Sequence, residues 1–119
     1  MSAQEQPISQ EWLDNFSGDR SPVVRTLFST YIKNEPERFA QLGAALQKRD
    51  MEQLAYLAHS MKGGAATLGA EPVRIACFAV EQAAKSGDFP LAEEKMVDLE
   101  KTMQRTYDFM QSCLDKIGD

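Results

Sequence analysis

The segment DMEQLAYLAHSMKGGAATLGAEP, residues 50–72, contains one complete helix with a recognisable signal at each end. Asp50 is an N-cap residue, because its carboxylate can accept a hydrogen bond from the first helical turn. The helical pattern runs to Leu68, and Gly69 follows at the position where a left-handed residue ends many helices. Pro72 then opens a second helix, since proline fits the first helical turn. This segment therefore predicts two helices joined by a short loop.

Similar signals divide the rest of the chain into helices. Ser21 and Pro22 begin a long helix, in which Pro36 is expected to produce a kink but not a break. Asp88 caps the last helix, whose apolar stripe repeats at alternating spacings of four and three residues. The members of this stripe are Ala92, Met96, Leu99, Met103, Thr106, Met110, Cys113 and Ile117. A stripe of this length indicates a helix that lies along a whole bundle.

Four long helices with short loops predict an all-α fold, an antiparallel four-helix bundle that spans about residues 21–117. A short helix that begins after Ser9 is expected to cover this bundle. The apolar face of the short helix consists of Trp12, Leu13 and Phe16. Residues 1–8 are mostly polar and are expected to be loose. The length of 119 residues fits a single domain over residues 1–119.

The composition excludes several classes of function. The formal net charge of −5 argues against nucleic-acid binding, which needs clustered lysines and arginines. No apolar run approaches the roughly 20 residues that cross a bilayer, so no membrane association is expected. The two cysteines are too few for a disulfide framework, and a cytoplasmic location is therefore expected. No glycine-rich phosphate loop follows a strand, so the chain has no recognisable ATP site.

The only histidine points away from the predicted core. On a helical wheel, the apolar side of the helix after Asp50 contains Leu54, Leu57, Ala58, Met61, Ala65 and Leu68. His59 points roughly the opposite way, and its neighbours on the wheel are Glu52, Ala55, Lys62, Gly63 and Ala66. Most of these neighbours are alanine or glycine, although each glycine inside a helix lowers the stability of that helix by about 1 kcal/mol relative to alanine. The pattern indicates an exposed imidazole that a large partner must approach.

Two interpretations of this histidine are open. A lone histidine is often a structural bystander, and small residues also permit close helix packing. Alternatively, a neutral imidazole near pH 7 can attack an electrophile, with Lys62 stabilising anionic oxygens and Gly63 leaving room for the transferred group. A zinc site of His59, Cys77, Cys113 and a carboxylate lacks the usual ligand spacing, and both cysteines fit apolar stripes. No metal is therefore expected.

The sequence AHSMKGGAATLGA at residues 58–70 resembles the signature of histidine-containing phosphotransfer (HPt) domains of bacterial two-component phosphorelays. That signature reads roughly A-H-x-L-K-G-x-A-x-x-L-G, and only Met61 departs from it, with a side chain of similar volume. The resemblance extends from about Val23 to Ile117, because the number, order and lengths of the helices also agree. It implies a phosphorelay protein that does not bind ATP itself.

The resemblance implies a role for four residues. His59 would be phosphorylated on its outer ring nitrogen and would carry the phosphoryl group between aspartates of receiver domains. Lys62 would help to hold the phosphoryl oxygens, and Gly63 would keep the site open. Many family members orient the histidine with a polar side chain on the next helix, a position that falls on Glu81, although the adjacent Gln82 is an alternative. Glu81 could equally be a solvated surface charge.

The partners that the resemblance implies are receiver domains of a hybrid sensor kinase and of a response regulator. The protein itself is expected to be monomeric and to bind no cofactor, with Mg²⁺ held by the partner receiver domain. The docking face around the histidine is predicted to contain Glu52, Ala55, Tyr56, Lys62, Gly63 and Ala66. A different possibility is a degenerate four-helix module that binds a partner but is never phosphorylated.

Overall fold

A computed structural model describes residues 6–15 and 21–117 of the chain, and these ranges contain five helices and no strand. The helices are α1 (Gln10–Asp14), α2 (Ser21–Gln47), α3 (Met51–Thr67), α4 (Glu71–Lys85) and α5 (Phe89–Ile117). The all-α prediction is confirmed. Some of the predictions concern residues outside the described part, namely residues 1–5, Phe16 and the side chain of Ile117.

Helices α2 to α5 form the bundle. Each packs against two others, so that α2, α3, α4 and α5 follow one another around a ring and α5 closes on α2. Three-residue loops join α2 to α3, α3 to α4 and α4 to α5, and such short connections place consecutive helices antiparallel. As predicted, the interior contains the stripe of α5 from Ala92 to Met110, in which Leu99 and Met110 are fully buried, whereas Cys113 is half-buried.

Side-chain caps mark two of the helix starts, and the internal proline of α2 does not end that helix. Asp50 accepts a hydrogen bond from the backbone N–H of Gln53 at 3.1 Å, and Asp88 accepts one from Leu91 at 3.1 Å. Both residues were predicted as caps. Helix α2 continues through Pro36 as one element, in agreement with the prediction of a single helix.

Helix α1 covers one end of the bundle, as predicted. The Trp12 indole stacks on the Phe28 ring at a centroid distance of 5.8 Å and donates from Nε1 to the Thr67 carbonyl at 3.0 Å. The segment before α1 differs from the prediction that residues 1–8 are loose, because Ile8 is fully buried. Its burial is accompanied by a backbone hydrogen bond from Ser9 to the Gly69 carbonyl at 3.2 Å.

Gly69 turns the chain between α3 and α4. Its φ of 67° lies in the left-handed region, and the N–H of Ala70 donates to the Ala65 carbonyl at 2.9 Å, which completes a Schellman motif. A Cβ at Gly69 would lie 2.6 Å from an atom of the Trp12 ring. Gly87, with a φ of 71°, ends α4 in the same way, but a Cβ there meets nothing within 4 Å.

We therefore predict different costs for alanine at these two glycines. Gly87→Ala should lower the free energy of unfolding by about 1 kcal/mol, because only the left-handed backbone is strained. Gly69→Ala should cost about 2 kcal/mol or more, since the added methyl group also displaces Trp12. Urea denaturation of both variants measures this difference. Equal costs would show that Trp12 does not pack tightly against this turn.

Candidate functional site

His59 lies on the exposed side of α3. Its side chain is 66% exposed, whereas Ala58 and Met61 beside it are buried in the core. The predicted core stripe of α3 is buried except for Leu57, which is half-buried. The imidazole is therefore accessible to another protein while the helix that carries it is anchored by its opposite face.

Glu81 reaches the imidazole from α4. Its Oε2 lies 3.0 Å from His59 Nδ1, and its carboxylate is almost completely buried. Of the two residues considered for this position, Glu81 is the one that contacts the imidazole, whereas Gln82 is exposed. An ionised carboxylate can only accept hydrogen bonds, so the contact requires the proton on Nδ1. In the neutral imidazole this leaves the lone pair on Nε2.

Two lysines share the same carboxylate. Lys62 Nζ donates to Glu81 Oε1 at 2.8 Å, and Lys85 Nζ forms an ion pair with Oε2 at 3.1 Å. Burial by itself would raise the pKa of Glu81, but its contacts with Lys62, Lys85 and His59 outweigh this effect and lower the pKa to about 2. The carboxylate is therefore ionised at neutral pH, and the cluster carries an excess of positive charge.

An open groove with a volume of about 650 Å³ lies between α3 and α4 beside the imidazole. Its lining from α3 consists of Met51, Glu52, Ala55, Tyr56 and His59, and its lining from α4 consists of Glu81, Ala84 and Lys85. Three of the predicted docking residues, Glu52, Ala55 and Tyr56, thus line the groove. The other three lie further along α3, where Gly63 and Ala66 are exposed and Lys62 is partly buried.

Gly63 is not required by packing within the chain. A Cβ at this position would meet nothing within 4 Å, in contrast to Gly69. Its place is one helical turn beyond His59 on the same exposed face. The absence of a side chain therefore leaves open surface next to the imidazole.

Lys85 and Phe78 were not among the predicted site residues. Lys85 is four residues after Glu81, a spacing that brings side chains together on a helix and could have indicated the contact. Phe78 is exposed, and Lys62 Nζ lies 4.9 Å from the centre of its ring. That cation–π contact joins α3 to α4, so helix spacing alone does not reveal it.

Other candidate chemistry does not gather around His59. Cys77 is fully buried in the core, and burial raises the pKa of its thiol to about 12. Within residues 6–15 and 21–117, no three His, Cys, Asp or Glu side chains are grouped as metal ligands. None of the described helices combines the length and apolarity needed to cross a membrane.

Comparison with known proteins identifies the family. The family model described as Hpt domain matches residues 26–109, and the chain belongs to this family. It therefore has a histidine phosphotransfer role in phosphorelays and interacts with receiver domains, and members of the family are phosphoryl carriers rather than ATP-using kinases. A comparison with curated protein sequences gives no match.

A solved structure supports the same assignment. The chain is similar to histidine-containing phosphotransfer protein B (HptB) from Pseudomonas aeruginosa PAO1, whose crystal structure superposes with a TM-score of 0.80. The two sequences are 26% identical, and the match covers 96% of this chain and 98% of that chain. The similarity therefore extends over the whole bundle.

The charge state of Glu81 predicts a pH dependence of stability. Because its pKa is lower in the fold than in the unfolded chain, its contribution is present above about pH 4.5 and is lost as the pH falls towards 2. Glu81→Gln should thus be less stable than the parent at pH 7, by up to about 3 kcal/mol, and the difference should close in acid. Denaturant titrations at several pH values measure it.

Glu52→Gln removes an exposed carboxylate from the same groove and is the matched control, with a small difference from the parent at every pH. A difference between the parent and Glu81→Gln that stayed constant from pH 7 to pH 2 would contradict an ionised, hydrogen-bonded Glu81.

Proposed function

We propose that His59 accepts a phosphoryl group from the aspartate of one receiver domain and transfers it to the aspartate of another. The donor would belong to a hybrid sensor kinase and the acceptor to a response regulator. The observation that carries this proposal is the exposed imidazole whose Nδ1 is held 3.0 Å from Glu81 Oε2. That contact fixes the tautomer and directs reactivity to Nε2.

The transfer needs no proton movement at the reacting nitrogen. The Nε2 lone pair forms the N–P bond, and the bond from phosphorus to the aspartyl oxygen of the receiver breaks, releasing a carboxylate. The Nδ1 proton stays on the ring, which becomes an imidazolium that carries the phosphoryl group. The reverse sequence, with the second aspartate as attacking group, returns a neutral imidazole.

The charges around the imidazole suit this change. The ring gains a positive charge in the reaction, and the ionised Glu81 at 3.0 Å stabilises it. The ammonium groups around Glu81, Lys62 among them, supply positive charge for the phosphoryl oxygens. The site therefore favours the phosphorylated form without holding a cofactor, and the Mg²⁺ of the reaction would be bound by the partner receiver domain.

The groove beside the imidazole is the proposed docking surface. Tyr56 is 69% exposed there, and the adjacent surface at Gly63 and Ala66 has no long side chain. A small, partly apolar surface of this kind suits a transient complex, in which the carrier must release one receiver before it meets the next. We propose that the carrier acts as a monomer in the cytoplasm.

Loss of the imidazole should abolish transfer without affecting the fold. In His59→Gln, the amide can still donate to Glu81, so helicity and thermal stability should remain close to those of the parent. Incubation with a radiolabelled phosphorylated receiver domain should label the parent in an acid-labile, base-stable form and leave the variant unlabelled. A variant labelled as strongly as the parent would place the acceptor elsewhere, and an unlabelled parent would favour a partner-binding module without phosphotransfer.

A bulky residue at Gly63 should block docking. Gly63→Arg and Gly43→Arg form a matched pair, because both glycines are helical and a Cβ at either meets nothing within 4 Å. We expect similar stability for the two variants but a reduction of the transfer rate by tenfold or more only for Gly63→Arg. Stopped-flow or rapid-quench transfer from a phosphorylated receiver measures the rates. Equal rates for the two variants would place the docking surface away from Gly63.

A further inference from the structure

The two lysines that contact Glu81 differ in how firmly the structure holds them. The Lys62 side chain is 22% exposed, and its ammonium contacts both Glu81 Oε1 and the face of the Phe78 ring. The Lys85 side chain is 59% exposed and contacts only the other carboxylate oxygen among the ion pairs of the described residues. Lys62 is therefore held on two sides, whereas Lys85 can reorient at little cost.

Lys85 shares its carboxylate oxygen with the imidazole. Both His59 Nδ1 and Lys85 Nζ contact Glu81 Oε2, at 3.0 Å and 3.1 Å. Both residues also line the groove between α3 and α4, and Lys62 lies outside that lining. Of the two lysines, Lys85 is therefore the one that lines the groove beside the imidazole.

We propose that Lys85 is the residue that contacts the phosphoryl group on His59, while Lys62 is a positioning residue that holds Glu81. This inference rests on the proposed function and differs from the expectation that Lys62 contacts the phosphoryl oxygens. When Nε2 forms its bond to phosphorus, the ring becomes cationic and its hydrogen bond to Oε2 becomes charge-assisted. Lys85 then leaves Oε2 for an oxygen of the dianionic phosphoryl group, and Lys62 stays on Oε1.

The two roles can be separated on protein that has been phosphorylated without a receiver domain. Phosphoramidate, a small donor with an N–P bond, would phosphorylate the parent and the variants Lys85→Gln, Lys85→Arg and Lys62→Gln. Lys101→Gln, an exposed lysine on α5, is the control for loss of one positive charge. Phosphorus NMR gives the pH midpoint at which the phosphoryl group titrates, and the decay of its signal gives the half-life of the phosphohistidine.

Loss of a partly exposed ion pair between Lys85 and the phosphoryl group should change the protonation equilibrium of that group by a few-fold. Lys85→Gln should raise the titration midpoint of the phosphoryl group by about half a pH unit and shorten the half-life about two- to five-fold, and Lys85→Arg should restore both. Lys62→Gln should instead slow phosphorylation of His59 and leave the midpoint near that of the parent and of Lys101→Gln.

A midpoint that moves in Lys62→Gln but not in Lys85→Gln would overturn the assignment. So would failure of phosphoramidate to modify His59, because an open Nε2 beside a mobile ammonium should accept this donor. If the chemically prepared phosphohistidine shows the expected lysine dependence but no receiver domain exchanges phosphoryl groups with it, the proposed relay fails and the role of Lys85 stands.

Discussion

A buried carboxylate that contacts a histidine and two lysines is the constraint on which this site depends. Glu81 is 2% exposed, and an ionised group at that depth is tolerated only when its oxygens are satisfied. Lys62 satisfies Oε1, while Lys85 and His59 satisfy Oε2. The same contacts that stabilise the carboxylate therefore orient the imidazole and gather positive charge around it.

The bundle supplies this arrangement through the pairing of α3 with α4. The Schellman turn at Gly69 allows the chain to reverse within three residues, so that α4 lies antiparallel beside α3. His59 and Lys62 then face α4 from one turn of α3, and Glu81 and Lys85 face α3 from one turn of α4. Trp12 closes the end of this unit by its hydrogen bond to Thr67 and its contact with the glycine turn.

Much of the fold and part of the site could be predicted because they depend on local chemistry. Caps at Asp50 and Asp88 and the glycine at Gly69 mark helix ends, and a wheel of one helix is enough to separate His59 from the core. The position of Glu81 beside His59 was reached only through the resemblance, with Gln82 left open. Its burial depends on the rotation of α4 about its axis, which neighbouring helices determine.

Other features could not be predicted because they depend on contacts between distant elements. Ile8 is buried, and the backbone N–H of the adjacent Ser9 donates to the carbonyl of Gly69, a residue 61 positions after Ile8 in the chain. Glu35 is buried inside α2, where burial raises its pKa and the nearby Arg38 and Tyr31 lower it in part. Its spacing of seven residues from Phe28 and from Leu42 places Glu35 on the buried stripe of α2, whereas Glu37 is exposed, but a charged residue is not expected to stay in such a core.

The central claim is that Glu81 fixes the proton of the neutral imidazole on Nδ1 and leaves Nε2 as the nucleophile. Nitrogen NMR of imidazole-labelled protein at alkaline pH, where the ring is neutral, tests it directly. We expect Nδ1 to have the chemical shift of a protonated ring nitrogen and Nε2 that of an unprotonated one. After phosphorylation, Nε2 should show scalar coupling to phosphorus. A neutral ring protonated on Nε2, or a phosphoryl group bonded to Nδ1, would contradict the account.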